Sequence, residues 1–389
     1  MKTNLCRRLT LLLLLWAYTL LVSGQDSFNY LSNQSVLRVK PLTYFEDSAE
    51  IQPLTLLLQR FKTKDTTLQL TCHVDFYYRY SGNLQPIAAQ EGATPHTQSH
   101  NQLNFNLFNV QLLKTYQQFS FVADIVIGKK AKEINYLYQQ SKWSLIKELY
   151  ASYQFTPQLK LSAGHFLTHF GYEAVEAIDN FNYSTSYGYT FEPYQHTGFK
   201  MDYQWNPNWT LMLGIFNRTD TKAWDKNPKY IGGQLQYKTE KLKTAFNFLT
   251  GKYDNGAAAL RQVEITSTYQ WNTQFGLGFN WGRKVSPQEG LNHMLSSTAL
   301  YANYQFKPNK ILAVRAEYFT DPNGTLFTAF PNADLNLKSF TLSYNLTKGS
   351  VTLIPEIRYD VANKAVFKQS NHSFQNQEIS FLMAALYKF

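Results

Sequence analysis

The chain has 389 residues, a formal net charge of +10, and 16% aromatic against 16% charged residues, where soluble domains carry about 25% charged. A surface so poor in charge would be sticky in water, which argues against a soluble domain. Beyond residue 24 no stretch approaches the roughly 20 apolar residues of a helical span, which argues against a helical membrane protein.

Residues 1–24 join a short basic start (Lys2, Arg7, Arg8) to the apolar run "LTLLLLLWAYTLLV" and the small residues "SGQ". This is the three-part pattern of a secretory signal peptide, with cleavage expected after Gly24. Cys6 precedes the apolar run, so it is badly placed to accept a lipid. Loss of the leader's three positive charges would leave a formal charge of +7. It would also leave Cys72 as the single cysteine, which excludes a disulfide-stapled scaffold. Nucleic acid is not an expected partner of an exported chain. For an aromatic-rich, exported chain without helical spans, a closed barrel is the remaining way to cross a bilayer.

Residues 25–67 have mixed charge, two prolines and a short helix-like "LTLLLQRF". They read as a periplasmic leader or as a segment tucked partly into the barrel. From 68 to 389 the pattern changes to alternation with a period of two, as transmembrane strands require. In "LQLTCHVDFYYRY" the set Leu68, Leu70, Cys72, Val74, Phe76, Tyr78 and Tyr80 alternates with a polar set that includes His73, Asp75 and Arg79. About sixteen such segments follow one another, starting near Leu68, Asn104, Phe119, Ser144, Leu159, Thr197, Trp209, Tyr230, Leu242, Arg261, Gln274, Ser296, Ile311, Ser339, Val351 and Gln377. The second and fourth are the weakest. In "NFNLFNVQLL" the parity slips between Leu107 and Phe108, as at a bulge, and the apolar spacing of "SLIKELYASYQF" would also suit a helix.

Connection lengths test the assignment independently. The short links "TYQQ", "TPQ", "NPN", "KTEK", "QWNT", "KPNK" and "TKGS" fall at every second position, and the links between them are longer, including Ser81 to Leu103, Thr168 to His196 and Asp321 to Lys338. Short periplasmic turns alternating with long outer loops are the habit of outer-membrane barrels. The fold expected is an all-β transmembrane antiparallel barrel of about sixteen strands, its third outer loop folded into the lumen.

Charges gather on the polar parity: Arg79, Lys160, Lys200, Lys243, Arg315 and Arg358 against Asp75, Asp124, Glu148, Asp202, Glu264, Glu317 and Glu356. A Lys or Arg facing lipid near the midplane costs about 2 to 4 kcal/mol, so this sorting argues for a wet interior. The third outer loop holds Glu173, Glu176, Asp179 and Glu192 and no Lys or Arg. Folded inward, it would set acids opposite a basic wall, a transverse field that orients dipolar solutes and filters ions. Alternatively the wall charges pair with their own neighbours, as Arg315 could with Glu317.

His165 and His169, four apart and followed by Glu173 and Glu176, would share one face of a helix and suggest a metal site. Here they fall at a strand end and in a loop, which removes the premise, and no metal or other cofactor is expected. No nucleophile-elbow or metal-hydrolase motif appears, so an enzyme is not expected.

The stretch "GHFLTHFGYEAVEAIDNFNYSTSYGYTFEPYQHTGFK", followed by "WTLMLGIFN", resembles the OmpL-like beta-barrel porin-2 family of outer-membrane proteins from Bacteroidota-type bacteria. The residues carrying the resemblance are Gly164, Phe166, Gly171, Tyr172, Glu173, Asn180, Tyr183, Ser184, Ser186, Pro193, His196, Thr197 and Gly198. Where family members often have Thr-Pro after the phenylalanine, this chain has "LTHF". The resemblance implies a pore for small solutes in the outer membrane. The terminal Phe389, with Tyr387 and Phe381 on its face, looks like the signal by which such barrels are recognised for insertion. Expected partners are therefore outer-membrane lipid, the barrel-assembly machinery and small hydrophilic solutes, and a homo-oligomer is compatible with the reading. The different-class alternative is a barrel with a closed lumen that works through its surface loops. Planar-bilayer conductance separates the two.

Overall fold

The computed structural model describes residues 66–83, 97, 99–138, 140–222, 228–252, 259–288, 291–324, 334–369, 371 and 373–388. The signal peptide expected at 1–24, the segment 25–65 and the terminal Phe389 lie outside the described residues.

Sixteen antiparallel strands close into one barrel. They are β1 (Thr66–Ser81), β2 (Gln102–Tyr116), β3 (Phe119–Ile127), β4 (Ile146–Gln154), β5 (Leu159–Leu167), β6 (Gln195–Gln204), β7 (Trp209–Phe216) and β8 (Tyr230–Lys238). The second half comprises β9 (Leu242–Lys252), β10 (Ala259–Gln270), β11 (Phe275–Gln288), β12 (Leu291–Lys307), β13 (Lys310–Asp321), β14 (Leu335–Lys348), β15 (Val351–Ala362) and β16 (Gln377–Lys388). Each strand pairs with the next in sequence. The ring shuts through β1 and β16, from His73 opposite Lys388 to Ser81 opposite Ser380. Closure satisfies the backbone groups that a sheet edge would leave bare in lipid.

The alternation read in the sequence is the alternation of the wall. On β14, Phe340 and Leu342 face outward, while Ser339, Thr341 and Ser343, which alternate with them, are buried inside. At the short-turn rim, aromatic pairs such as Phe119–Tyr153, Trp209–Tyr237, Tyr269–Trp271 and Tyr304–Phe306 form a girdle, the position that amphipathic rings prefer at a bilayer interface.

Both weak strands hold, each with a bulge that matters. Between β1 and β2, Asp75 lies opposite Leu107 and Phe76 opposite Phe105, leaving Asn106 as the extra residue. Asn106 and Leu107 therefore both point inward, one position earlier than the parity slip read in the sequence. The helix-compatible segment is strand from Ile146, after a 3-10 turn at Lys142–Leu145. Its register skips Lys147, since Asp124 faces Glu148 and Ile125 faces Ile146. Lys147 and Glu148 are consequently both buried in the interior.

The interior departs from a purely hydrated lumen. Phe319, Leu335, Leu337, Ile354, Leu382, Ala384 and Leu386 occupy inward positions and are buried. The long connection from β5 to β6, residues 168–194 and hereafter L3, enters the barrel and packs on them. Tyr187 and Phe191 join Phe319, Leu335 and Leu337 in one apolar cluster. Ala177 and Tyr183 join Tyr77, Ile354, Leu382, Ala384 and Leu386 in another. A short helix, α1 (Lys129–Ile134), adds Ala131 and Ile134 to a third, with Val175, Tyr189 and Tyr194 of L3.

Candidate functional site

L3 is shaped first by its own polar side chains. Thr168 closes the base, donating its backbone N–H to Tyr194 O at 3.0 Å. The Asn180 side chain spans the descending limb, accepting from the Ala174 N–H and donating to the Ala174 carbonyl, both at 2.8 Å. Glu173 Oε2 accepts from the Ser186 N–H and hydroxyl, both at 2.8 Å. Gly171 turns the chain at a left-handed φ of 101°, a conformation that costs glycine little, and its N–H goes to Glu264 on β10 at 2.8 Å.

The wall then fastens the loop. On β15, Glu356 accepts the N–H groups of Tyr183 and Ser184 at 2.7 and 3.1 Å. On β13, Glu317 accepts those of Tyr187 and Gly188 at 2.9 and 2.7 Å. Arg315 donates to the Ser184 and Thr185 carbonyls at 2.5 and 3.2 Å, and Arg358 to the Thr185 carbonyl at 2.6 Å. From β1, two strands beyond β15 in the ring, Asp75 accepts from the Tyr183 hydroxyl at 2.8 Å. Tyr172 stacks on Tyr301 of β12 with centroids 4.0 Å apart.

Each loop acid meets a defined partner. Glu173 pairs with Arg315 at 2.5 Å, both buried. Glu176 pairs with Lys147, which also holds Asp124 at 2.6 Å. Burial alone would raise the Glu176 carboxyl, but Lys147 outweighs it and holds the group down to about 2. Asp179 lies 3.7 Å from Lys388 in a half-exposed pair. Glu192 accepts from Asn280 at 3.3 Å; burial, then the neighbouring Glu264 carboxylate, pushes its carboxyl well above the usual range.

The remaining wall charges behave as local pairs. Arg79 meets Glu378 at 2.8 Å, Arg358 meets Asp360 at 2.9 Å, and Asp202 meets Lys160 at 3.6 Å. Lys200 sits over the Phe166 ring at 4.7 Å. Neighbour pairing thus applies to part of the wall, whereas Arg315 is taken by the loop acid Glu173. Lys147, Asp360 and Glu378 escaped the sequence reading. Lys147 is hidden by the bulge beside it, and the other two sit on alternating strands whose inward charges go unnoticed until L3 or a neighbour is in place.

The residues carrying the family resemblance support this geometry. Gly164 on β5 lies opposite Gly198 on β6. A Cβ at Gly164 would come within 2.5 Å of Leu149 O, at a φ of 133°, and one at Gly198 within 2.2 Å of Ile215 O. Phe166 packs edge-on against Tyr150 and Phe216, and His196 stacks on Phe216 at 4.4 Å. His165 bonds Thr197 and Gln195 at 2.8 and 2.9 Å, and His169 bonds the Phe248 carbonyl at 3.1 Å. Among the described residues no group of three or more His, Cys, Asp or Glu side chains could hold a metal ion.

The model of the beta-barrel porin-2, OmpL-like family matches residues 67–389. The chain belongs to that family. Among solved structures, this beta-barrel porin-2 protein is similar to an anion-selective porin from Comamonas acidovorans, at 11% identity and a TM-score of 0.58 over 84% of this chain and 100% of that one. OmpT of Vibrio cholerae matches at 11% identity and 0.56, covering 85% and 99%. The outer-membrane channel DcaP of Acinetobacter baumannii matches at 11% and 0.53, also covering 85% and 99%. At these identities the likeness is one of fold. Among curated proteins none matches the sequence. The beta-barrel porin-2 protein is accordingly a porin-like channel of the outer membrane.

Proposed function

We propose that this porin passes small hydrophilic solutes and ions by passive diffusion, and that L3 is the element that constricts the path. A sixteen-stranded barrel is wide enough for an aqueous channel, so the constriction must come from what lies inside it. The observation that carries the reading is the attachment of L3 to separate parts of the ring at once, through Glu317, Arg315, Glu356 and Asp75 on the arc from β13 to β1, Lys147 on β4 and Glu264 on β10. Glu173, Glu176, Asp179 and Glu192 contribute the loop's charge. In this reading outer-membrane lipid covers the aromatic girdle, and the assembly machinery recognises the last strand.

The depth of the packing favours a second reading, in which the lumen stays shut and the outer loops do the work. Ser184, Thr185 and Tyr187 are 2% exposed or less. Reconstitution of the full chain in planar bilayers decides between them. Stable ohmic steps support the channel, and electrical silence from correctly folded protein rejects it.

A further inference from the structure

Arg315 on β13, Thr341 on β14 and Arg358 on β15 stand side by side in register. Glu317 lies one inward position toward the loop rim, opposite Ser339, and Glu356 one toward the turn rim, opposite Ser343. Across this patch the main chain from Tyr183 to Gly188 meets the wall charges directly, while the Tyr183 and Tyr187 side chains anchor in the apolar clusters beside it. Its polar groups run as two N–H on Glu356, two carbonyls on the arginines, and two N–H on Glu317. Any polypeptide carries that pattern of donors and acceptors.

The fit is incomplete in a telling way. Two guanidiniums converge on one neutral oxygen, the Thr185 carbonyl, at 3.2 and 2.6 Å. Among the described residues, Arg315 Nε and Arg358 Nη2 are buried and find no partner, a cost that hydrogen bonding elsewhere does not return. Each arginine already has one carboxylate, Glu173 on Arg315 and Asp360 on Arg358; a further carboxylate in place of the carbonyl would bridge the two and accept more bonds than it does. The carboxylates flanking the arginines are each held by neutral N–H donors, where an ammonium would be the stronger partner. L3 covers the patch, where Arg315, Thr341 and Arg358 are 3% exposed or less, so a solute reaches it only as L3 leaves it.

We propose that this patch is a binding site for zwitterionic solutes of the amino-acid and short-peptide class, with L3 as their tethered stand-in. The solute carboxylate lies on Arg315 and Arg358, its ammonium on Glu317 or Glu356, and its arrival coincides with release of the loop. The proposal rests on the channel reading above.

Swelling of liposomes containing the full-length protein tests it, with trialanine as probe and glucose and sucrose as neutral sugars bracketing it in size. Trialanine is expected to enter faster than glucose although it is larger, and N-acetyl-trialanine amide, which lacks both charges, to lose that advantage. In the double variant E317Q/E356Q each amide oxygen still accepts one loop N–H group while the amide NH2 meets the other, so the charge is gone and L3 is held more weakly. Glucose entry should rise as L3 loosens, and the ratio of trialanine to glucose entry, which loosening by itself would not lower to the level of the uncharged peptide, should fall to that of N-acetyl-trialanine amide to glucose. Trialanine entering more slowly than glucose in the wild type, or an intact preference in the double variant, overturns the site. Failure of every solute to enter would instead sink the channel reading itself.

Discussion

The Glu173 carboxylate bridges Ser186 of its own loop and Arg315 of the facing wall, at 2.8 and 2.5 Å. It is therefore both a brace that shapes L3 and the charge that fastens it. Removing one partner of a buried pair costs about 3 to 5 kcal/mol, because the other charge is left unanswered. E173A should accordingly raise the conducting fraction of reconstituted channels by roughly tenfold or more, whereas E173Q, which still accepts hydrogen bonds, should do less. Single-channel recordings of the two variants side by side check the order.

Neutral replacement of Glu173, Glu176 and Asp179 together should shift ion selectivity toward anions. The wall cations Arg315, Lys147 and Lys388 would then lack their loop partners. The reversal potential in a salt gradient reads this directly, and an unchanged value removes these acids from the selectivity of the path.

Two acids of L3 predict opposite pH behaviour. Glu176 is held down to about 2, so its stabilisation is present above the ordinary carboxylate value near 4.5 and is lost as pH falls from there toward 2. Glu192 is displaced upward, so its hold on the wall is complete below the ordinary value and weakens as pH rises through its raised one. Open probability should therefore increase at both extremes. E176Q should flatten the acid limb alone and E192Q the alkaline limb alone, measured in bilayers across the pH range.

Replacing Gly164 by valine should damage the barrel rather than the path. The added Cβ would press on Leu149 O at 2.5 Å, at a φ that side chains rarely adopt, a strain of about 1 to 3 kcal/mol before any steric relief. The midpoint of urea unfolding, followed by the gel mobility of unheated samples, should fall.

The aromatic stack of Tyr172 on Tyr301 offers a milder lever. Y172A removes a pair worth about 0.5 to 1.5 kcal/mol beyond its buried area and should loosen L3 without disturbing any wall charge, visible as faster closing and opening in the same recordings.

What could be read in the sequence follows from periodicity. A strand that separates lipid from the interior shows it in every second residue, so the strand number, the loop alternation and most of the inward charges were legible, though not Lys147, Asp360 or Glu378. The entry of L3 into the lumen was also foreseeable, from its length and its acids. The mates of those acids were not. Arg315 and Glu173 are 142 residues apart, and nothing local distinguishes a wall arginine that meets a loop acid from one that meets its neighbour, as Arg358 meets Asp360. The bulge that turns Lys147 inward depends on the register of β3 against β4, and the inward apolar residues Phe319, Leu337 and Ile354 find their purpose only when L3 packs on them. Alternation is a property of one strand and its solvent, which the chain carries locally. Pairing across the lumen depends on closure of the ring, which only the tertiary structure decides.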